Sequence, residues 1–388
     1  RYLEDVALLN DIGANAYRFS ISWPRVLPAG RGAANEAGLA FYDRLIDELL
    51  AKGIEPWVCL YHWDLPQALD DLGGWQNRDI AGWFADYAAL AALRFGDRVK
   101  RFATFNEPCV FTLFGYGFGW NAPGVADKAA LHKVIHHVNL SHGRAVQVLR
   151  QSVRHASIGA IHNRQPCYPS TSSDEDRQAA LRFAEYWNDA FPYPQHFASY
   201  PTTLAETIEP FLKPGDMALI AQPLDWFGLN HYSPHYIRAD NNWLRATIGA
   251  PPADVPRTTI GWPIVPDAFR DTLLDINSRF RLPIYVLENG TANDDKPDTS
   301  GNIQDTGRIA YLQAYIAAMQ KAIAAGADVR GYFLWSLLDN FEWTAGYSER
   351  FGLVYVDFAT QQRSLKASAR WYSEFMKSFR HSATPALP

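Results

Sequence analysis

Arg101-Phe102-Ala103-Thr104-Phe105-Asn106-Glu107-Pro108 is a short apolar run that ends abruptly in an amide and a carboxylate, with a proline to stop the ladder. A carboxylate at the mouth of a buried strand is costly unless something satisfies or uses it. One such glutamate is more often a surface loop residue. The chain, however, does the same thing again: Leu282-Pro283-Ile284-Tyr285-Val286-Leu287-Glu288-Asn289-Gly290 is a second apolar run ending in Glu, with a glycine turn behind it. Two strands that each deliver a Glu from their C-terminal end make a carboxylate pair, and such pairs break glycosidic bonds.

Strand and helix alternate on both sides of these two stretches. Residues 1–13 read as a helix, with Leu3, Val6 and Leu9 on one face and Gly13 as its stop. Residues 36–52 carry the stripe Leu39, Tyr42, Leu45, Ile46 and Leu49. Further helices are predicted over 80–95, 128–150, 174–188, 267–277, 305–325 and 365–379. Strands are predicted over 16–22, 56–61, 102–105, 157–161, 226–230, 284–287 and 331–335. No linker or low-complexity tract interrupts the series, so the reading is a single domain over 1–388.

Alternation of this kind means parallel strands with crossover helices. Polar residues gather just past the strand C-termini, where a (β/α)8 barrel of the TIM type builds its site. A doubly wound nucleotide-binding fold is the rival, but no G-x-G-x-x-G or G-x-x-x-x-G-K-[ST] follows any strand. The barrel reading prevails, with seven strands where eight are expected: it is apparently incomplete.

Composition narrows the function. A net charge of −5 argues against nucleic-acid or anionic-membrane partners, which call for basic patches. Three cysteines, Cys59, Cys109 and Cys167, are too few and too scattered for a disulfide framework. No signal peptide is visible, and a cytoplasmic protein is expected. Thirteen Trp, 19 Tyr and 22 Phe supply aromatic planes on which the C–H faces of sugars pack, although most such residues serve a core. His132 and His136 stand at i, i+4 in a helical stretch, a spacing that suits a metal. Packed helix histidines give the same spacing far more often, so no metal and no cofactor is expected. Serine-hydrolase chemistry has no G-x-S-x-G to support it.

Thr104-Phe105-Asn106-Glu107-Pro108 and Leu287-Glu288-Asn289-Gly290 resemble the acid/base and nucleophile motifs of glycoside hydrolase family 1, the β-glucosidase-like retaining enzymes. Matching stretches run from Arg1 almost to the C-terminus. The resemblance implies Glu107 as acid/base and Glu288 as nucleophile, about 5–5.5 Å apart as retention requires. It implies Arg18 as the cation that keeps Glu288 ionised and Tyr232, in Asn230-His231-Tyr232, as its hydrogen-bond donor. His62 and Trp63, within Tyr61-His62-Trp63-Asp64-Leu65-Pro66, resemble the strand end that binds a sugar hydroxyl. Asn106 resembles the 2-hydroxyl contact, and Asn230 stands beside the nucleophile's tyrosine. Trp335, Glu342 and Trp343 look like a stacking platform and a clamp on the distal hydroxyls, with Phe351 closing that end.

The implied activity is hydrolysis of O-linked β-glycosides by double displacement, from the non-reducing end, on β-glucosides or the closely related β-fucosides and β-galactosides. Glu342 would repel a phosphate dianion, which favours neutral sugars. Family members carry a strand ahead of the helix that here starts at Arg1, and that strand supplies a Gln to the sugar. The chain thus resembles a family 1 barrel without its first strand. Weakened activity and a homo-oligomer that covers the gap are expected from this. The rival function is an impaired family member that binds sugars or assembles with other chains.

Overall fold

The computed structural model describes residues 1–383. Among them the main sheet has seven parallel strands in chain order. These are β1 (Ala16–Ser20), β2 (Glu55–Tyr61), β3 (Arg101–Asn106), β4 (Ser157–Asn163), β5 (Trp226–Asn230), β6 (Ile284–Glu288) and β7 (Val329–Tyr332). Helix α1 (Tyr2–Ile12) precedes β1. The crossovers include α2 (Glu36–Ala51), α3 (Ile80–Phe95), α4 (Lys128–Ser152), α5 (Asp174–Ala184), α6 (Pro266–Phe280) and α7 (Thr306–Ala324), and α8 (Ala367–Ala383) follows β7.

The sheet curls on itself. Trp57 of β2 lies four strands from Tyr285 of β6, yet the two rings are 4.8 Å apart, and Trp226 of β5 completes the contact at 5.3 Å from Trp57. These rings, with Cys59, Ala103, Ile161 and Leu287, fill the interior of the curled sheet. Gly159 is what lets Trp226 in: a Cβ there would stand 2.3 Å from the indole. Outside the sheet, the helices pack their apolar stripes on a second, larger core, where Trp23 is fully buried and stacks on Tyr87 at 5.0 Å.

Strands β1 and β7 are the two edges of the sheet. A cleft of about 410 Å³ lies between them, with Trp57 and Tyr285 in its lining and Arg18 and Trp335 among its walls.

The predicted elements differ from the observed ones in instructive places. The last strand begins at Val329 rather than 331, with a register shift between Val329 and Gly331. It ends at Tyr332, although the Phe333 and Trp335 N–H groups still reach Val286 O and Asn289 O across the bulged edge. Helix α5 stops at Ala184 and widens into a π turn over Glu185–Asp189. Five short strands were missed. Cys167–Pro169, His235–Arg238 and Thr247–Ile248 form a small sheet, and Val354–Val356 pairs with Arg363–Leu365. They are two to four residues long, and pairing rather than any apolar alternation defines them.

Candidate active site

The carboxylates of β3 and β6 reach a single cavity of about 500 Å³ at the C-terminal end of the sheet. Glu107 and Glu288 line it together with His62, Trp63, Tyr232, Trp335, Glu342, Trp343 and Phe351. Arg18, Asn106 and Asn230 do not line it; they stand one layer behind and hold the carboxylates. Asn230 Nδ2 donates to Glu107 Oε1 at 2.8 Å and to Asn106 Oδ1 at 3.0 Å. Arg18 Nη2 donates to Asn106 Oδ1, and Arg18 Nη1 to Glu288 Oε1 at 2.6 Å. A continuous chain of bonds therefore joins one glutamate to the other through residues of three strands.

The two carboxyl groups live in different surroundings. Glu288 faces the Arg18 guanidinium on one oxygen and accepts the Tyr232 hydroxyl at 2.6 Å on the other. Burial works to lower the Arg18 pKa, but the charge and hydrogen bond of Glu288, with Cys59 and Glu107, together outweigh it and the pKa rises. Tyr232 is held far above the usual phenol range by burial and by the same carboxylate. Glu107 meets no cation directly. Asn163 and Asn230 donate neutral amides to it, at 3.0 and 2.8 Å. Burial, reinforced by the charge on Glu288, pushes its carboxyl up to about 8.

Around this pair the remaining side chains are closely tied. His62 Nε2 lies 3.1 Å from Asn106 Nδ2, and burial together with Arg18 lowers the imidazole to about 3, so the ring is neutral. Trp63 Nε1 donates to Asn106 O at 2.9 Å, and its ring meets Trp343 at 4.6 Å. Glu342 is pushed up to about 7 by burial, with Glu288 and Glu349 adding to it. Phe351 packs between Trp262 and Tyr232. Trp63, Glu107 and Trp343 all hold positive φ, at 79°, 48° and 42°. Left-handed backbone costs a non-glycine residue of order 1–3 kcal/mol, and three such residues line one cavity. Gly290 has a steric role of its own: a Cβ would lie 2.0 Å from Trp335 O, so only glycine lets that backbone pass behind the end of β6.

Residues 1–380 match the family profile described as Glycosyl hydrolase family 1. The chain belongs to glycosyl hydrolase family 1. It is 43% identical to the β-glucosidase A of Thermotoga maritima over 384 residues, which is 97% of this chain and 86% of the relative. It is 38% identical to a bifunctional β-D-glucosidase/β-D-fucosidase of Bifidobacterium breve, covering 99% of this chain and 87% of that one. The solved structure of the Thermotoga maritima family 1 β-glucosidase superposes with a TM-score of 0.92 at 42% identity, over 97% of this chain and 86% of that one.

In this family 1 chain several site residues escaped the sequence reading. Asn163 ends β4 and donates to Glu107, yet β4 was predicted to stop at 161; the polar tail His162-Asn163-Arg164 after an apolar run was the available signal. Further lining residues come from short elements that no periodicity marks: Val110 from a single helical turn, Phe114 and Trp187 from π turns, Ile248 from a two-residue strand, and Trp120 and Trp262 from loops. The histidine pair of α4 is buried and separately engaged: His132 with the Tyr186 hydroxyl at 2.7 Å, His136 with Tyr200 at 3.0 Å and Asp216 at 2.9 Å. No helix among the described residues is long and apolar enough to cross a membrane.

The surroundings of Glu107 have a consequence for stability. Its carboxyl titrates near 4.5 when unperturbed and near 8 in the fold. Between those values the native chain holds a proton that the unfolded chain has released, so stability falls as pH rises through the window. Glu107→Gln ends that titration and can keep both amide bonds on its carbonyl oxygen. The variant is expected to melt close to wild type near pH 4 and well above it near pH 8, by a few kcal/mol at about 1.4 kcal/mol per pKa unit. Thermal unfolding at the two pH values decides this; an advantage that does not grow with pH would refute it.

Proposed function

We propose that this chain is a retaining exo-β-glycosidase in which Glu107 is the acid/base and Glu288 the nucleophile, acting on β-glucosides and on the related β-fucosides and β-galactosides. What carries the reading is the opposed treatment of the two carboxyls: an arginine and a tyrosine hold Glu288, while Glu107 sits in a buried, cation-free cradle of amides. A nucleophile must be ionised before it can attack the anomeric carbon, and an acid must keep its proton until the leaving oxygen needs it. After glycosyl-enzyme formation Glu107 is ionised and can take a proton from water, which then releases the sugar with its original configuration.

The other lining residues take supporting roles in this proposal. His62, which lines the cavity and is backed by Asn106, addresses a ring hydroxyl, and the Trp63–Trp343 pair gives an aromatic wall for the ring face. Glu342 accepts from the distal hydroxyls, and with no Lys or Arg among the described residues lining the cavity, nothing there would balance a phosphorylated sugar. The rival, a sugar-binding chain that turns over poorly, finds no support in any described residue of the site.

The test is to follow hydrolysis of 4-nitrophenyl β-D-glucoside by proton NMR. The β-anomer of glucose is expected to appear first, with mutarotation to the α-anomer afterwards. In the same assay kcat/KM should fall as pH rises through about 8, as Glu107 loses the proton it must donate. The α-anomer as first product would overturn the double-displacement reading.

A further inference from the structure

Beneath the wall that carries Glu342 and Trp343 lies a buried cluster of charges that the reaction does not touch. The Asp339 side chain is fully buried, and its two oxygens accept four bonds. Oδ1 takes Gly352 N at 3.0 Å and Lys366 Nζ at 2.7 Å; Oδ2 takes Arg350 Nη1 at 2.6 Å and Val356 N at 3.3 Å. Lys366 Nζ also meets Asp295 Oδ2 at 2.6 Å, and Arg308 Nη2 reaches that same oxygen at 2.7 Å. Arg308 is in turn paired with Asp305 and donates to Arg350 O at 2.7 Å. Three cations thus balance three carboxylates, so the cluster has no excess charge to offer a ligand.

Its position in the chain gives it a different use. Glu342 and Trp343 belong to a loop, 340–349, that leaves the body at Asp339 and rejoins it at Arg350. One ion pair therefore ties both feet of the loop. Above those feet the loop touches the body through a few side chains, Trp343 on Trp63 and His62, Tyr347 on Phe358 and the Glu349 carboxylate on the Thr259 hydroxyl at 2.8 Å, while Phe341 and Tyr347 stay 52% and 57% exposed. The next residue after Arg350 is Phe351, which also lines the cavity. A buried ion pair adds little net stability over an apolar substitute, but breaking one leaves an uncompensated buried charge. Such a base permits one arrangement of the loop and penalises the others.

We propose that Asp339, Arg350 and Lys366 are positioning residues that set where Glu342 and Trp343 stand over the bound sugar, and through them the preference for sugars that carry distal hydroxyls. The inference rests on the reading of Glu342 given under the proposed function.

Its test compares kcat/KM of the full chain on 4-nitrophenyl β-D-glucoside with that on the 6-deoxy-β-D-glucoside, which lacks one distal hydroxyl. Arg350→Met should lower the first roughly 10- to 100-fold, the range expected for misplacing a charged hydrogen bond, and the second, which keeps the other distal hydroxyl, by a clearly smaller factor, so that their ratio falls. Arg350→Lys, which keeps the cation, should restore most of the ratio. Asp339→Asn has nearly the same shape and tests the charge alone, so it serves if Arg350→Met fails to fold. A merely structural role would depress both substrates alike and leave their ratio intact, which would overturn the proposal. Glu342→Ala separates the two layers of the argument. If it leaves the ratio unchanged, the reading of Glu342 and the positioning role fall together. If it collapses the ratio while Arg350→Met and Asp339→Asn do not, the positioning role alone is overturned.

Discussion

Glu288→Ala and Glu107→Ala should each abolish turnover of an alkyl β-glucoside, and an activated aryl glucoside with added azide should then tell the two apart. A 2,4-dinitrophenolate leaves without protonation, so Glu107→Ala can still form the glycosyl-enzyme on Glu288. Its second step stalls, because nothing deprotonates the attacking water. Azide needs no base and fits the space vacated by the carboxylate, so the expected product is β-glucosyl azide. In Glu288→Ala no covalent intermediate forms, and azide can only attack the opposite face to give the α-azide. The acid/base loss is expected at about 10²–10⁴-fold, the usual reach of general acid–base catalysis. Loss of the nucleophile removes the covalent route itself and should cost more. Exchanged azide products would reverse the two assignments, and undiminished activity in both variants would remove the carboxylate pair from the mechanism.

The sequence made this pair legible because strand ends have a plain signature. An apolar run that stops in Asn-Glu-Pro or Glu-Asn-Gly states both where the ladder ends and what it delivers. The inner strands were legible for the same reason, since a strand buried on both faces is a continuous apolar run, whereas the part-buried edge strand β7 was placed two residues late. What escaped depends on contacts between distant segments. Asn163 reaches Glu107 only because β4 lies beside β3, and of the aromatic lining Phe114 and Trp187 come from π turns and Trp120 from the bend that follows one. Arg350 and Lys366 look like ordinary surface cations in one dimension. Only the fold buries them against Asp339.

Strain and electrostatics converge on the same cavity. Trp63, Glu107 and Trp343 hold left-handed backbone although none is glycine, and each makes at least one contact that such a turn allows. A local sequence rule would have placed glycine or asparagine there. The surrounding helices and sheet keep these residues in place, so the departure from local preference falls in the cavity that holds the two carboxylates.

Arg18→Met should be nearly as damaging as loss of either glutamate, although Arg18 does not line the cavity. Its guanidinium is 2.6 Å from Glu288 Oε1, with Leu287 O and Asn106 Oδ1 taking further donors, and the pair is about 5–7% exposed on either side. Methionine keeps the aliphatic bulk and removes the charge. Glu288 would then retain only the Tyr232 hydroxyl, in a buried site that already contains Glu107. Burial without a cation raises a carboxyl pKa, so the expected result is a Glu288 that holds its proton toward neutral pH. The retaining reaction needs Glu288 ionised while Glu107 is still protonated. That window exists in the wild type because Arg18 bonds the Glu288 carboxylate directly, whereas at Glu107 burial and the Glu288 charge outweigh its more distant pull. In Arg18→Met the acidic limb of kcat/KM should move upward until it meets the limb set by Glu107, and the profile should shrink to a low, narrow peak. Breaking a buried pair also costs about 3–5 kcal/mol of stability, so folding must be checked by thermal unfolding at the pH of assay. Arg18→Lys supplies the control: a point charge without the planar fork should recover part of the activity and return the acidic limb toward its original place. An Arg18→Met protein that folds and keeps the wild-type acidic limb would show that something other than this cation holds Glu288 in its ionised form.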